Sequence, residues 1–249
     1  MKVAAIIQAR MGSTRLPGKI LEPICGKPLL QHVVERIKKV QKIDEIVIAT
    51  TTSERDNVLA NEVARIQEIG IFRGSEEDVL DRYYRVAQKA GAEVIIRITS
   101  DCPLIDPVVI DAMIEIFLKR ITEKAPIDYL SNTLVRTFPR GLDAEVFSFA
   151  ALEKAFCEAK EGYQREHVTP YIWQNPDIFK QECFKNEEDL SFHRWTVDEV
   201  EDLRLVREIY KELYRGGHCF LLKEVVDLFR RQPQLLDINA HIRQKELVN

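Results

Sequence analysis

The 249-residue sequence sets 36 Lys and Arg against 40 Asp and Glu, a formal charge of -4, with 45% apolar and 31% charged residues. This suffices for one α/β domain with a sizeable core over residues 1–249, gives no sign of a nucleic-acid surface, and contains no run of membrane-spanning length. The five cysteines, Cys25, Cys102, Cys157, Cys183 and Cys219, lack C-x-x-C spacing, which excludes a thiolate zinc centre and a disulfide framework; they read as small packing residues in a reducing, cytoplasmic setting.

The chain enters a strand pattern at Val3–Ile7 with no signal-peptide region before it. A helix is expected from Pro28 to Val40, a strand from Glu45 to Thr50, a helix from Glu54 to Gln67 and a short strand from Ile69 to Phe72. A helix over Glu76–Lys89 with Ser75 before its acidic first turn, a strand over Glu93–Ile98 and a helix over Pro107–Lys119 follow. This alternation predicts a three-layer α/β fold, a mostly parallel sheet flanked by helices, whose nucleotide-binding half is residues 1–125. Beyond Pro126 the rhythm changes. Strands at Ile127–Leu130, Glu145–Ser148 and Phe179–Phe184, and helices at Phe149–Lys160, His167–Trp173, Asp198–Tyr214 and Leu222–Arg231, are expected to add antiparallel strands and the acceptor side over residues 126–249.

After the first strand comes Ala9-Arg10-Met11-Gly12-Ser13-Thr14-Arg15-Leu16-Pro17-Gly18-Lys19. Five basic residues and one acid precede Glu35 in a chain of net negative charge. The segment is therefore a local positive loop where open α/β sheets place ligands, suited to a polyphosphate; the plainer alternative is a solvated turn. It is not a P-loop, because Gly12 and Gly18 are one residue too far apart and Ile20 stands where the metal-binding hydroxyl is needed.

This loop resembles the nucleotide-binding signature of the cytidylyltransferases that make CMP-activated sugars, above all the SpsF-like branch associated with spore-coat and surface polysaccharides. Three further segments keep that family's order: Phe72-Arg73-Gly74-Ser75-Glu76-Glu77-Asp78-Val79-Leu80, Thr99-Ser100-Asp101-Cys102-Pro103-Leu104-Ile105-Asp106 and Arg194-Trp195-Thr196-Val197-Asp198-Glu199-Val200-Glu201-Asp202-Leu203. The resemblance implies a GT-A-like, Rossmann-like nucleotide-diphospho-sugar transferase fold. It also implies transfer of CMP from CTP to a sugar acid or related acceptor, with Mg2+ as cofactor and pyrophosphate as leaving group. The Kdo-activating branch carries a serine-glycine-threonine stretch where this chain has Gly74-Ser75-Glu76-Glu77-Asp78, so that branch's acceptor does not carry over.

Such a transfer is mostly positioning plus cationic stabilisation. Arg10, Arg15 and Lys19 can hold triphosphate oxygens, Gly12 admits close backbone approach, Ser13 offers a hydroxyl and an N–H, and Ala9 opens the loop. Asp101 and Asp198 are carboxylates of the kind magnesium takes. By themselves they read equally as a turn aspartate and a helix cap; the resemblance implies that both are metal ligands, and that Arg73 lies near the nucleoside. Lys19, Asp101 and Asp198 thus form the expected catalytic set.

For the acceptor, Thr99 and Ser100 flank Asp101, Arg140 in Thr137-Phe138-Pro139-Arg140-Gly141 can meet a carboxylate or phosphate, and His167 lies in a segment resembling the family's acceptor-contacting stretch. A structural histidine is the alternative for His167. The expected assembly is a homodimer contacting through Ile127–Leu142, or that edge is covered by the tail Pro233–Asn249. Competing readings are a nucleotidyltransferase for a phosphorylated sugar, a glycosyltransferase consuming a nucleotide-sugar, and a nucleotide-binding regulatory subunit without turnover.

Overall fold

The computed structural model describes residues 1–244. Strand β1 (Val3–Gln8) leads through the glycine loop and a 3-10 turn (Lys19–Leu21) into a small hairpin, β2 (Pro23–Ile24) and β3 (Lys27–Pro28), and then α1 (Leu29–Ile37). There follow β4 (Glu45–Thr51), α2 (Asn57–Val63), β5 (Gly70–Gly74), α3 (Val79–Ala90), β6 (Val94–Thr99) and α4 (Pro107–Thr122). The second half adds β7 (Tyr129–Ser131), β8 (Glu145–Ser148), α5 (Phe149–Glu158), α6 (Gly162–His167), α7 (Pro170–Trp173), β9 (Gln181–Cys183), α8 (Val200–Leu213) and α9 (Leu222–Arg231).

One seven-stranded sheet runs in the order β5-β4-β1-β6-β8-β7-β9. The strands of the first half pair in parallel, β8 pairs antiparallel with both β6 and β7, and β9 joins β7 in parallel. The expectation of added antiparallel strands holds for β8, whereas β9 departs from it. Apolar side chains face both layers, which is why the strands read as near-continuous apolar runs. Val3, Ala5 and Ile7 join the core shared with α1, α4, α8 and α9, while Ala4 and Ile6 join the one shared with α3 and α5.

Several boundaries move for local reasons. Pro28 pairs with Pro23 in the hairpin and only then caps α1. The helix expected from Glu54 begins as a 3-10 turn (Glu54–Asp56), and α2 ends at Val63. Helix α3 is capped by Asp78, whose carboxylate accepts from the Asp81 amide at 2.9 Å, so Ser75 lies outside it. The segment around His167 divides into α6 and α7 at Val168, a buried β-branched residue with φ 74° and ψ -56°. The Thr169 amide donates back to His167 there, closing a strained γ-turn.

Two expectations are overturned. Cys25 and Cys157 are exposed, so not all five cysteines are packing residues. The stretch expected to be a sheet edge in need of cover is interior: β7 lies between β8 and β9, Phe138 is 2% exposed, and its ring stacks on Phe184 at 5.6 Å. Of the tail proposed to cover that edge, residues 245–249 lie outside the described residues. No described helix is long and apolar enough to cross a membrane.

Candidate active site

The strand order reverses about β1, where β4 lies on one side and β6 on the other. Such a switch point leaves a crevice beyond the carboxyl ends of the strands. Gln8 is in register with Thr99, which brings the glycine loop after β1 beside the Asp101 segment after β6.

The loop is held by its own backbone. Ala9 donates to the Ala49 carbonyl, and Ser13 and Gly18 both donate to Met11. The Ser13 hydroxyl accepts from the Leu16 amide, and buried Asp56 accepts from the Met11 amide at 2.7 Å. A Cβ at Gly12 would lie 2.9 Å from the guanidinium of Arg55, which closes over the loop and pairs with Glu76.

Lys19, 9% exposed, ends this loop and donates from one Nζ to three acceptors: Asp101 Oδ2 at 2.9 Å, Asp198 Oδ1 at 2.8 Å and the Val197 carbonyl at 2.7 Å. The two aspartates named from distant parts of the chain therefore share one ammonium. Burial pulls that ammonium towards neutrality, but the charges of Asp101 and Asp198 overcome it and hold Lys19 above its ordinary value. Asp101 is the mirror image: burial raises it, and Lys19 with the Thr99 hydrogen bond brings it below the usual carboxylate range.

Around this core Arg15 pairs with Asp198 at 3.0 Å and with Glu199 at 3.5 Å. Arg194 contacts Asp198 Oδ2 at 3.0 Å and grips both oxygens of fully buried Asp202 at 2.9 Å. Asp202 also accepts from the Asp198 and Glu199 amides and from Asn239. Asp198 is therefore not the cap of α8; Glu199 is, in a reciprocal arrangement with Asp202. The sequence reading passed over Arg194, Asp202 and Asn239. Arg194 and Asp202 both stand in the last motif, but their joint role with Asn239 needs the fold.

The segment carrying Asp198 is threaded between two others. Arg140 donates to His193 and accepts from Trp195 at 2.7 Å, and Val197 donates to Asp101 at 2.9 Å. Gly141, at φ 106°, makes this crossing possible, since a Cβ there would lie 2.5 Å from the Thr196 nitrogen.

Three cations, Arg15, Lys19 and Arg194, thus meet four carboxylates, Asp101, Asp198, Glu199 and Asp202. A cluster so balanced does not attract a triphosphate without a further cation. Asp101 and Asp198 offer hard oxygen donors converging on one point, the donor set that suits magnesium. Among the described residues no three His, Cys, Asp or Glu side chains form a metal cage, so phosphate and water oxygens would complete the shell.

The remaining expected residues fall into three groups. Thr99 and buried Ser100 flank Asp101, with the Thr99 hydroxyl 3.2 Å from Cys102 Sγ. Arg10 lies apart from Lys19, pairing with Glu166 at 3.7 Å beside His167, whose imidazole is held towards neutrality by burial and by Arg97 and Arg10 despite the opposing charge of Glu166. Arg73, expected beside a nucleoside, has all three guanidinium nitrogens engaged by Thr51 O, Asn57 Oδ1 and Ser53 O. It therefore holds the loop after β4. Arg82, unremarked in the sequence, is 2% exposed, its stem packed against Gly74 and its Nε and Nη1 without a hydrogen-bond partner among the described residues.

A family model described as cytidylyltransferase matches residues 4–240. The chain belongs to the cytidylyltransferase family. It is 36% identical over 235 residues to the spore coat polysaccharide biosynthesis protein SpsF of Bacillus subtilis, covering 92% of this chain and 94% of that one. It is 40% identical over 251 aligned positions to an uncharacterized protein of Methanocaldococcus jannaschii, covering 98% and 97%. A solved cytidylyltransferase from Leptospira borgpetersenii superposes with a TM-score of 0.89 at 34% identity, covering 99% of this chain and all of the other. This cytidylyltransferase is accordingly a CTP-dependent nucleotidyltransferase built on the mostly parallel, helix-flanked sheet described above.

Proposed function

We propose that the enzyme transfers CMP from CTP to a sugar acid, releasing pyrophosphate, and that the product serves surface polysaccharide synthesis. The name of SpsF supports the pathway. For the acceptor, the observation that carries the reading is Arg140: its main chain is bound to the segment leading to Asp198, yet its half-buried guanidinium makes no hydrogen bond or ion pair among the described residues. Burial and the neighbouring charge of Arg136 lower it from its ordinary value. An unpaired guanidinium in that position is suited to a carboxylate.

Asp101 and Asp198 would hold Mg2+, which neutralises triphosphate charge when bound. Arg15 and Lys19 then bind phosphate oxygens, the buried grip of Asp202 on Arg194 keeps Asp198 in place, and Gly12 and Ser13 shape the loop around the phosphates. Arg10 and His167 line the side next to β8, where neutral His167 contacts the acceptor. Arg73 acts on the nucleoside through the loop that it holds. The protein works in the cytoplasm as a homodimer that pairs through Ile127–Leu142, where exposed Val135 is available for the contact.

The test is pyrophosphate release from CTP across sugar acids, neutral sugars and sugar phosphates. Sugar acids alone should be turned over, and Arg140→Ala should raise the acceptor KM at least about tenfold with the KM for CTP unchanged. Preferential turnover of a sugar phosphate would replace this acceptor assignment with the phosphorylated-sugar reading.

A further inference from the structure

Apart from the Lys19 cluster, a cleft of about 300 Å³ opens between α1, the C-terminal end of α8 and the segment 217–220. Its floor is Arg36, 5% exposed. The guanidinium has only neutral partners: Nε donates to the Tyr210 hydroxyl at 3.3 Å, and Nη1 to the carbonyls of Phe220 at 2.8 Å and Ile105 at 3.3 Å and to Cys219 Sγ at 3.7 Å. The Phe220 ring lies under it at 4.3 Å. Among the described residues Nη2 has no hydrogen-bond partner, and no carboxylate forms an ion pair with Arg36.

A buried cation without a direct ion pair is costly, so its place in a cleft is informative. The other charges facing the cleft do not supply the missing one. Lys27 is neutralised by Glu35 at 2.6 Å, Lys38 by Glu68 at 3.5 Å, and His218 is bonded to Glu224 at 2.8 Å. His32 is held towards its neutral form by burial. Lys39, exposed at the rim, has no ion pair among the described residues. The Glu224 carboxylate feels the charge of Arg36 and offsets part of it; Arg36 and Lys39 still leave the cleft positive, and the rings of Tyr210 and Tyr214 form a wall beside them.

We propose that this cleft is a second ligand site, which takes a small phosphomonoester: a dianion for Arg36 and Lys39, with an aromatic or apolar body against Tyr210 and Tyr214. Its back wall bears on catalysis. The Tyr210 hydroxyl donates to the Pro103 carbonyl at 2.6 Å and Arg36 holds Ile105, both in the segment just after Asp101, while α8 runs from beside Asp198 to the cleft. Occupancy thus acts on the main chain that places both aspartates, which makes the cleft a regulatory site.

The test is calorimetric titration of the full chain with phenyl phosphate and with inorganic phosphate, in the presence of saturating CTP and Mg2+. Phenyl phosphate should bind one to one, more tightly than inorganic phosphate, and Lys39→Glu, an exposed change that leaves the fold intact, should weaken it at least about tenfold. Absence of binding at millimolar ligand, unchanged binding in Lys39→Glu, or equal binding of inorganic phosphate would overturn the proposal. Repeating the titration without nucleotide should keep the one-to-one stoichiometry at an affinity altered by the coupling to the two aspartates; an identical affinity would overturn the regulatory role, and binding seen only when CTP is absent would place phenyl phosphate in the nucleotide site and also overturn the proposal. None of these readouts depends on the acceptor.

Discussion

Val197 donates its amide to the Asp101 carbonyl at 2.9 Å, stitching the approach to α8 onto the exit from β6 one residue before Asp198. Side chains alone do not keep two carboxylates facing one another, because like charges repel. Here the backbone fixes the pair and Lys19 neutralises it.

Lys19→Met removes the only ammonium between these carboxylates among the described residues. Losing one partner of a buried ionic cluster costs about 3–5 kcal/mol, and the partial exposure of Asp101 at 24% reduces the expected loss here to about 2–3 kcal/mol. Magnesium should restore part of it, since an ion binding the folded state stabilises by mass action. Thermal melts should therefore show a larger Mg2+-induced rise in Tm for Lys19→Met than for the wild type. Equal rises would dissociate the ion from this pair of aspartates.

Gly141→Ala forces a Cβ into the Thr196 and Trp195 backbone at a positive φ. Unfavourable backbone geometry alone costs about 1–3 kcal/mol, and neither contacting group is a flexible side-chain end. Denaturant unfolding should show at least that loss, together with reduced activity because the Asp198 segment moves. Wild-type stability in Gly141→Ala would mean that the crossing is looser than described.

His193 gives the stability a pH dependence. Packed against Phe192, Trp195 and Phe229, with no hydrogen-bond partner for Nδ1 among the described residues, its imidazole is pushed down to about 4 by burial. The unfolded chain binds its proton near pH 6.5 and the folded chain only near 4, so stability is complete above 6.5 and falls as the pH drops towards 4. The loss amounts to roughly 3 kcal/mol. His193→Phe should flatten this limb in urea titrations between pH 7 and 4, and an unchanged slope would assign the acid sensitivity elsewhere.

The parallel half of the sheet was legible because β1, β4 and β6 are buried on both faces and so appear as apolar runs. The β2–β3 hairpin was not, since two-residue strands have no periodicity and the turn depends on Cys25 and Gly26 at positive φ. In the site, Lys19, Arg15, Asp101 and Asp198 could be named from motifs, but their convergence needs the strand order and the Gly141 crossing. Arg73 and Arg82 show the limit of reading residue types: both are arginines near β5, yet the first has its donors spent on the loop and the second has two donors unspent. Asp202 resembled an acidic first-turn residue until Arg194 and Asn239 were seen to close on it.

The most direct test of the proposed metal–nucleotide role is equilibrium binding of CTP, with and without Mg2+, to the wild type and to Asp101→Asn and Asp198→Asn. The account predicts that Mg2+ tightens CTP binding to the wild type at least about tenfold, and that each folded variant loses most of that gain because an amide is a poor magnesium ligand. An undiminished Mg2+ effect in both variants would contradict it.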